Sequence, residues 1–268
     1  MTSKTNPHII YEDNDILVCE KPAGLPVQTA KTGRPDLFSE LKNYRAKKHE
    51  EPYIGLVHRL DQPVCGVMVF AKTKSAAAHL SRQVSSRSIG KEYLAVVCGL
   101  PGSASGAESI SNSESASVSE SGSAAESAPD LKSGQARQTL CGKGELRNFL
   151  LKDGRTNASR VVPEHTPGAK EAQLSYEVIQ VNPDTARSLV RIRLLTGRHH
   201  QIRVQFAHAG FPLYADTKYG QPLPKGSFCP VALCSYKISF VHPKTGKNMT
   251  FSVETSTMES LTACLNSV

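Results

Sequence analysis

A polar turn followed by a short apolar segment, at residues 57–72, constrains the fold more than any other part of the sequence. Residues 67–70 (Val-Met-Val-Phe) are apolar and rich in β-branched side chains, which is typical of a buried strand. Just before them, Asp61 lies between Arg59 and a turn that contains Pro63, whose ring fixes φ and removes a donor. The pattern predicts a carboxylate held on a stiff loop at a strand edge, suited to a nucleophile, a general base or a structural ion pair.

Alternating and helical hydrophobic patterns recur on both sides of this stretch and predict a chain of mixed α and β structure. Strands are predicted at residues 9–11, 16–21, 67–70, 91–98, 139–151, 173–182, 188–195, 231–240 and 249–253. Helices are predicted at residues 36–48, 74–87, 198–208 and 258–265. The turn at 183–186 is expected to join residues 174–181 and 188–195 into an antiparallel pair.

Charge is distributed unevenly along the chain. Residues 102–137 are rich in Ser, Ala and Glu and contain five acidic residues against two basic ones. We expect this segment, about 102–137, to be a disordered insertion, because it has too few apolar residues to offset the entropy of ordering. The whole chain carries a net charge of +8, so the remainder carries +11. A basic body favours a polyanionic partner such as RNA, although a basic protein without such a partner fits equally well.

Several protein classes are not indicated by the sequence. It has no apolar run long enough to span a bilayer, and residues 1–7 lack the apolar core of a signal peptide. The seven cysteines form no Cys-x-x-Cys pair, which favours a reduced cytoplasmic protein without structural zinc. No Gly-x-Gly-x-x-Gly or phosphate-binding loop is present, so no cofactor is expected.

Three motifs in order resemble those of the RluA-type RNA pseudouridine synthases. They are His-Arg-Leu-Asp at 58–61, followed by Gly66 and Ala-Lys at 71–72; Lys-Glu-Tyr-Leu-Ala at 91–95; and Thr-Gly-Arg-His-His-Gln-Ile-Arg at 196–203. The sequence departs from the family pattern at Val64 and Cys65, where Thr-Ser is usual, and at Ala215, where Gly is usual. The resemblance covers nearly all of the chain except the insertion.

This resemblance implies an α+β fold with a mixed, mostly antiparallel central sheet, flanking helices and a catalytic cleft across the middle of the sheet. It implies one catalytic domain over residues 1–268, interrupted by the insertion. Many relatives carry an S4-type RNA-binding module upstream, and none is expected here because the matching segments leave no room for it. The expected function is isomerisation of specific uridines in structured RNA, which is rRNA, tRNA or both, by a monomeric cytoplasmic enzyme without a membrane partner.

The resemblance also assigns roles to individual residues. Asp61 is the expected catalytic carboxylate, Arg203 pairs with it and keeps it ionised, and Tyr93 stacks on the target base. The residues predicted to contact the RNA substrate are His58, Arg59, Arg198, His199 and Gln201. A metal site at the adjacent His199 and His200 is not expected, because no third ligand follows at a suitable spacing and neighbours on a helix do not share a face.

Two other functions remain open from the sequence alone. One is a non-catalytic RNA-binding or RNA-folding protein on the same scaffold. The other is a hydrolase of nucleoside or glycosidic bonds, which typically needs a second carboxylate. The matched motifs contain no second acid, and Asp216 on a nearby loop is the candidate for that role.

Overall fold

A computed structural model describes residues 7–31, 33–102, 141–221 and 229–267. The elements in chain order are β1 His8–Glu12, β2 Ile16–Lys21, α1 Leu37–Lys47, β3 Gly55–Leu56, β4 Cys65–Ala71, α2 Lys74–Ser85, β5 Gly90–Cys98, β6 Lys143–Asp153, β7 Ala158–Val162, β8 Lys170–Asn182, β9 Arg187–Leu194, α3 Gln201–His208, β10 Leu233–Val241, β11 Asn248–Ser252 and α4 Thr255–Asn266. The predicted disordered insertion lies outside the described residues, apart from Gly102.

All eleven described strands join one sheet, in the order β1-β2-β4-β10-β5-β9-β8-β6-β7, with β3 paired to β4 and β11 to β10. The pairing of β4 with β10 is parallel and the other described pairings are antiparallel. The sheet is therefore mixed and mostly antiparallel, as the sequence predicted. None of the helices in the described ranges is long and apolar enough to cross a membrane.

The two faces of the sheet bury different helices. On one face, Leu37 and Leu41 of α1 and Ile202 and Phe206 of α3 pack in a core that includes Tyr93. On the other face, α2 and α4 pack in a second core through Ala76, Leu80, Leu261 and Leu265. Strand residues supply both cores because successive side chains point to opposite faces.

The predicted stretch at 57–72 has the expected form, a loop followed by the buried strand β4. Gly66 has φ +127°, and a Cβ at this position would overlap the backbone of Ser235 on the parallel strand β10. Glycine is therefore required here for both conformation and space. The loop carrying Asp61 is thereby anchored at its C-terminal end to the middle of the sheet.

Near the active site, two elements differ from the sequence predictions. Helix α3 begins at Gln201 rather than 198, because His200 adopts a left-handed conformation with φ 54° that ends the preceding turn. Strand β7 was not predicted, because Ala158–Val162 is short and follows a polar turn that hides its alternation. Both corrections affect the same region, where β7 packs against α3.

Candidate active site

Asp61 lies on the loop before β4, and buried side chains and hydrogen bonds hold that loop in place. Leu60 and Val64 are buried in the core, and the Val64 amide donates to the Asp61 carbonyl at 3.1 Å. Lys21 is fully buried, and its Nζ donates to the carbonyls of Pro22, Leu25 and Gln62 at 2.7–3.1 Å. Burial lowers the pKa of Lys21 to about 8. The Asp61 side chain remains 26% exposed, so it is held in place but open to solvent.

Arg203, in the first turn of α3, lies between two carboxylates. Its Nε and Nη2 donate to the two oxygens of Asp216 at 2.8 and 2.7 Å, and its Nη1 lies 3.4 Å from Asp61 Oδ2. The Arg203 side chain is 5% exposed and that of Asp216 is 0% exposed. A two-pronged contact of this length is the strong form of an Arg–carboxylate pair, whereas the contact with Asp61 is long.

The expected contact between Arg203 and Asp61 is present, but it is not the main contact of Arg203. The main partner of Arg203 is Asp216, and Asp61 is a second, looser one. Burial raises the pKa of Asp61, and the neighbouring Arg203 only partly opposes this effect. Arg203 thus favours the ionised form of Asp61 but does not overcome the cost of burial.

Asp216 has no free capacity for acid–base chemistry. Its Oδ1 also accepts from the backbone amides of Lys218 and Tyr219 at 3.0 and 3.3 Å. A glycosidic hydrolase would need this carboxylate to exchange protons with substrate or water. A buried carboxylate already bound by a guanidinium and two amides is not placed for that role, which disfavours the hydrolase interpretation.

His200 joins the site although its sequence position gave no reason to select it. Its Nε2 lies 3.6 Å from Asp61 Oδ2, and its Nδ1 lies 2.7 Å from the Tyr219 hydroxyl. That hydroxyl accepts from the Ser159 amide at 2.8 Å. Burial, with Arg203 nearby, lowers the pKa of His200 to about 3, so the ring is neutral at physiological pH. Tyr219 was also missed, because it reaches His200 from a loop 19 residues away.

His199 and His200 do not lie on a helix, as the sequence argument against a metal site had assumed. The two residues precede α3, so the rule about neighbours on a helix does not apply, and their rings stack with centroids 3.8 Å apart. His199 Nδ1 lies 2.9 Å from the Ser159 hydroxyl, just as Tyr219 holds His200. One ring nitrogen of each histidine is therefore occupied by a protein hydroxyl.

A group with the composition of a cation site lies elsewhere, at Asp13, Asp15 and His242. The Asp13 oxygens already accept from two backbone amides, from the Tyr11 hydroxyl and from His242 Nε2. These contacts give Asp13 a structural role in the turn between β1 and β2.

Tyr93 lies on β5 with its side chain buried in the core on the α3 side of the sheet. Burial raises the pKa of its phenol well above the ordinary value, and the charge of Asp61 contributes in the same direction. The phenol is therefore within electrostatic reach of Asp61 and stays protonated. Its predicted stacking on a base remains a prediction.

The five predicted substrate contacts differ in exposure. Arg59 is exposed, while Arg198 and His199 are half-buried. His58 is buried, and its Nε2 accepts from the Val69 amide at 3.1 Å. Gln201 is also buried and binds Thr196, Gln173 and the Arg198 amide. In this structure His58 and Gln201 therefore support the loops that carry Asp61 and Arg198, and contact with RNA stays a prediction for both.

Arg198 is also partly engaged by the protein. Its Nε donates to the Glu171 carbonyl at 2.7 Å, which leaves the other guanidinium donors available. The side chain is thus held at the corner between β9 and α3, and no carboxylate among the described residues neutralises it. This arrangement is compatible with the predicted phosphate contact.

The family model described as RNA pseudouridylate synthase matches residues 15–208. A ribosomal large subunit pseudouridine synthase D of Vibrio cholerae serotype O1 is 30% identical over 258 residues, covering 91% of this chain and 66% of its own length. An Aquifex aeolicus protein named as an uncharacterized RNA pseudouridine synthase is 32% identical, covering 92% of this chain and 69% of its own length. This chain therefore spans about two thirds of these relatives.

The fold comparison agrees with the sequence comparison. The human RNA pseudouridylate synthase domain-containing protein 4 superposes with a TM-score of 0.68 at 20% identity, covering 97% of this chain and 93% of its own. This likeness confirms the predicted α+β fold. The match over residues 15–208 shows the family: this chain belongs to the RNA pseudouridylate synthases.

Proposed function

We propose that this chain isomerises specific uridines in structured RNA to pseudouridine, with Asp61 as the catalytic carboxylate. Membership of the family supports the reaction class. The names of several relatives specify the large ribosomal subunit, which favours rRNA as the substrate, with tRNA as the alternative. The proposed enzyme is a single catalytic domain that acts in the cytoplasm as a monomer and needs no cofactor.

The observation that carries this proposal is the unequal state of the two carboxylates beside Arg203. Asp216 takes both strong donors of the guanidinium and is fully buried. Asp61 therefore has a cation nearby without being held in a tight ion pair, and about a quarter of its side chain is exposed to solvent. A carboxylate in that state is available to react with a base or ribose brought to it.

The reaction requires breaking the N-glycosidic bond, rotating the freed uracil and forming a carbon–carbon bond to the same ribose. The proton lost from carbon 5 is balanced by a proton gained at the freed nitrogen, so no external reactant is needed. Asp61 starts the sequence either by covalent attack on the ribose or base or by removal of a ribose proton. Arg203 stabilises its charge in both cases.

The base must leave the RNA stack to reach Asp61, which costs roughly a few kcal/mol. In the proposal Tyr93 stacks on the uracil and assists proton loss from carbon 5. Arg59, exposed beside the Asp61 loop, holds the flipped nucleotide or fills the gap that it leaves. Arg198 contacts a phosphate at the corner before α3, where no carboxylate in the described part of the chain binds its remaining donors.

The test is pseudouridine mapping in total RNA from cells with and without the gene, by carbodiimide-based sequencing. We expect one or a few sites to disappear and to return with the wild-type chain but not with Asp61→Ala. Asp184→Ala is a matched control, since this carboxylate lies in the turn between β8 and β9 and makes no hydrogen bond or ion pair with the described residues.

Two outcomes would replace the proposal. If no site is lost while ribosome assembly is disturbed, and Asp61→Ala rescues as well as wild type, the chain is a non-catalytic RNA-binding protein. If the purified chain releases free uracil from RNA, it is a hydrolase, and the carboxylate assignments above must be revised.

A further inference from the structure

The hairpin formed by β6 and β7 presents one face to the active-site corner. On β6, Leu150 packs with Val204 of α3 and with Tyr219, and Asn148 accepts a hydrogen bond from Gln205 of α3. The even-numbered residues of β6 therefore face α3, because side chains two apart share a face of a strand. Lys152 is the next residue of this row, one step closer to the turn of the hairpin.

The register of the hairpin identifies the neighbour of Lys152. Lys152 pairs with Ser159 of β7, and directly paired residues have side chains on the same face. Ser159 contacts both His199 and Tyr219. Lys152 therefore extends from the same face of the hairpin as the residue that binds the corner beside Asp61.

Three exposed cations from separate parts of the chain converge on His199. Lys152, Lys218 and Arg59, together with buried Arg203 and burial itself, lower the pKa of His199 to about 4. None of the three exposed cations forms an ion pair with a carboxylate in the described ranges. Lys218 Nζ instead donates to the carbonyls of Thr156 and Asn157 in the turn between β6 and β7.

Two carboxylates near this group, Asp216 and Asp153, already have other partners. Asp216 is bound by Arg203, and Asp153 accepts from the Arg155 amide and the Thr156 hydroxyl within its own turn. Asp61 lies on the Arg203 side of the group, so the positive charge of Lys152 and Lys218 on the hairpin side still favours a bound anion. Since the anion would lie beside the site that receives the uridine, the RNA backbone is the ligand that fits.

We propose that Lys152 and Lys218 form a phosphate-binding site on the β6–β7 hairpin that holds the RNA backbone next to the flipped uridine. This inference rests on the proposed function and extends it, because it places an RNA contact outside the motifs that resemble the family. The hairpin fixes the position of both cations, Lys152 through its strand and Lys218 through its contacts with the turn.

The test uses the dependence of RNA binding on salt. Each lost phosphate contact reduces the slope of log affinity against log salt by roughly 0.7 to 0.9. We therefore expect Lys152→Ala in the full chain to lower this slope by that amount and to weaken binding about sixfold at 0.1 M salt. The probe is an in vitro transcript containing the uridine found by mapping, titrated by fluorescence anisotropy, and Lys152→Arg should restore most of the slope.

Arg160→Ala is the matched control. Arg160 neighbours Ser159 on β7, so it points to the opposite face of the hairpin, and it lies close enough to Asp153 to lower that pKa. The substitution removes the same charge and should leave the salt slope unchanged. Thermal unfolding of each variant separates loss of binding from loss of folding, and Lys218→Ala should show a second loss of slope.

The outcomes separate this inference from the proposed function. If Lys152→Ala keeps the wild-type slope, or Arg160→Ala lowers it equally, the phosphate site is wrong while uridine isomerisation stands. If the wild-type chain neither binds nor modifies the transcript, both proposals fail. If Lys152→Ala lowers the slope of log affinity against log salt while Asp61→Asn still binds the transcript, the phosphate site is supported independently of catalysis.

Discussion

The loop carrying Asp61 and the loop carrying Asp216 present carboxylates to the same guanidinium in opposite states. Asp216 is fully buried and accepts four hydrogen bonds, two from Arg203 and two from backbone amides. Asp61 is partly exposed, and its contacts with Arg203 and His200 are 3.4 and 3.6 Å long. The first arrangement stabilises the fold, and the second leaves a carboxylate ready for chemistry.

The comparison shows how one Arg can serve both purposes. The two hydrogen bonds to Asp216 fix the rotamer of Arg203. The third guanidinium nitrogen, Nη1, therefore already faces Asp61. The burial that raises the pKa of Asp61 is therefore tolerated beside a cation that is already secured. If this division of roles is correct, substitutions of the two carboxylates should have opposite consequences for activity and stability.

The largest expected effect is the loss of activity in Asp61→Asn. Removing a nucleophile or general base should lower the single-turnover rate on a mapped RNA substrate on the order of 10³-fold or more. The shape of the side chain is kept, so RNA binding should persist. Retention of turnover would end the assignment of Asp61, and Asp184→Asn should behave as wild type.

Asp216→Asn should instead act mainly on stability. Breaking a buried ion pair leaves the charge of Arg203 partly unpaired, which costs about 3 to 5 kcal/mol. Urea unfolding followed by circular dichroism measures this loss. In the fraction that remains folded, Arg203 should turn toward Asp61 and lower its pKa. A variant as stable as wild type would show that Asp216 does not hold Arg203.

The hydroxyl of Tyr219 should have a smaller effect, because it joins neutral groups. Tyr219→Phe removes the group that contacts His200 Nδ1 and accepts from the Ser159 amide. We expect a loss of about 1 to 2 kcal/mol in the free energy of unfolding. Tyr236→Phe is the control, since the Tyr236 hydroxyl has no hydrogen bond to the described part of the chain. Equal stability of the two variants would remove Tyr219 from the support of the site.

The sequence predicted the loop and strand that carry Asp61 more completely than it predicted the side chains that contact Asp61. The rigid loop, strand β4 and the close approach at Gly66 follow from local residue types, so they were predictable. The pairing of Arg203 with Asp216 depends on how a helix and a loop pack, which periodicity does not encode. A motif can indicate that an Arg lies near a carboxylate, but not that a second carboxylate binds it more tightly.

The turn before α3 is a second region that the sequence predicted only in part. The alternation of β9 and the glycine at 197 indicated that a strand ends there, and a helix was predicted to follow at once. His200 delays it by adopting φ 54°, a conformation that is rare outside glycine, Asn, Asp and His. That delay brings His200 to Asp61 and His199 to Ser159 of the β6–β7 hairpin. Single-residue backbone choices of this kind are fixed by tertiary packing rather than by propensity.

The smallest expected effect concerns the stability of Asp61→Asn. Because burial raises the pKa of Asp61, the folded state favours its protonated form, so the ionised form costs stability at neutral pH. The favourable contribution of the protonated carboxyl is fully present below the ordinary Asp pKa and is lost as pH rises through the folded-state value. Relative to wild type, Asp61→Asn should therefore gain stability between acidic and neutral pH.

Urea unfolding of Asp61→Asn and wild type at a series of pH values measures this difference. Asp216→Asn, which breaks a tight ion pair, should be less stable than wild type at neutral pH, so the two variants should differ in sign there. If Asp61→Asn is destabilised at neutral pH as Asp216→Asn is, Asp61 is a structural ion-pair partner of Arg203. A stabilised and inactive Asp61→Asn would instead mean that the fold bears a cost to keep this carboxylate reactive.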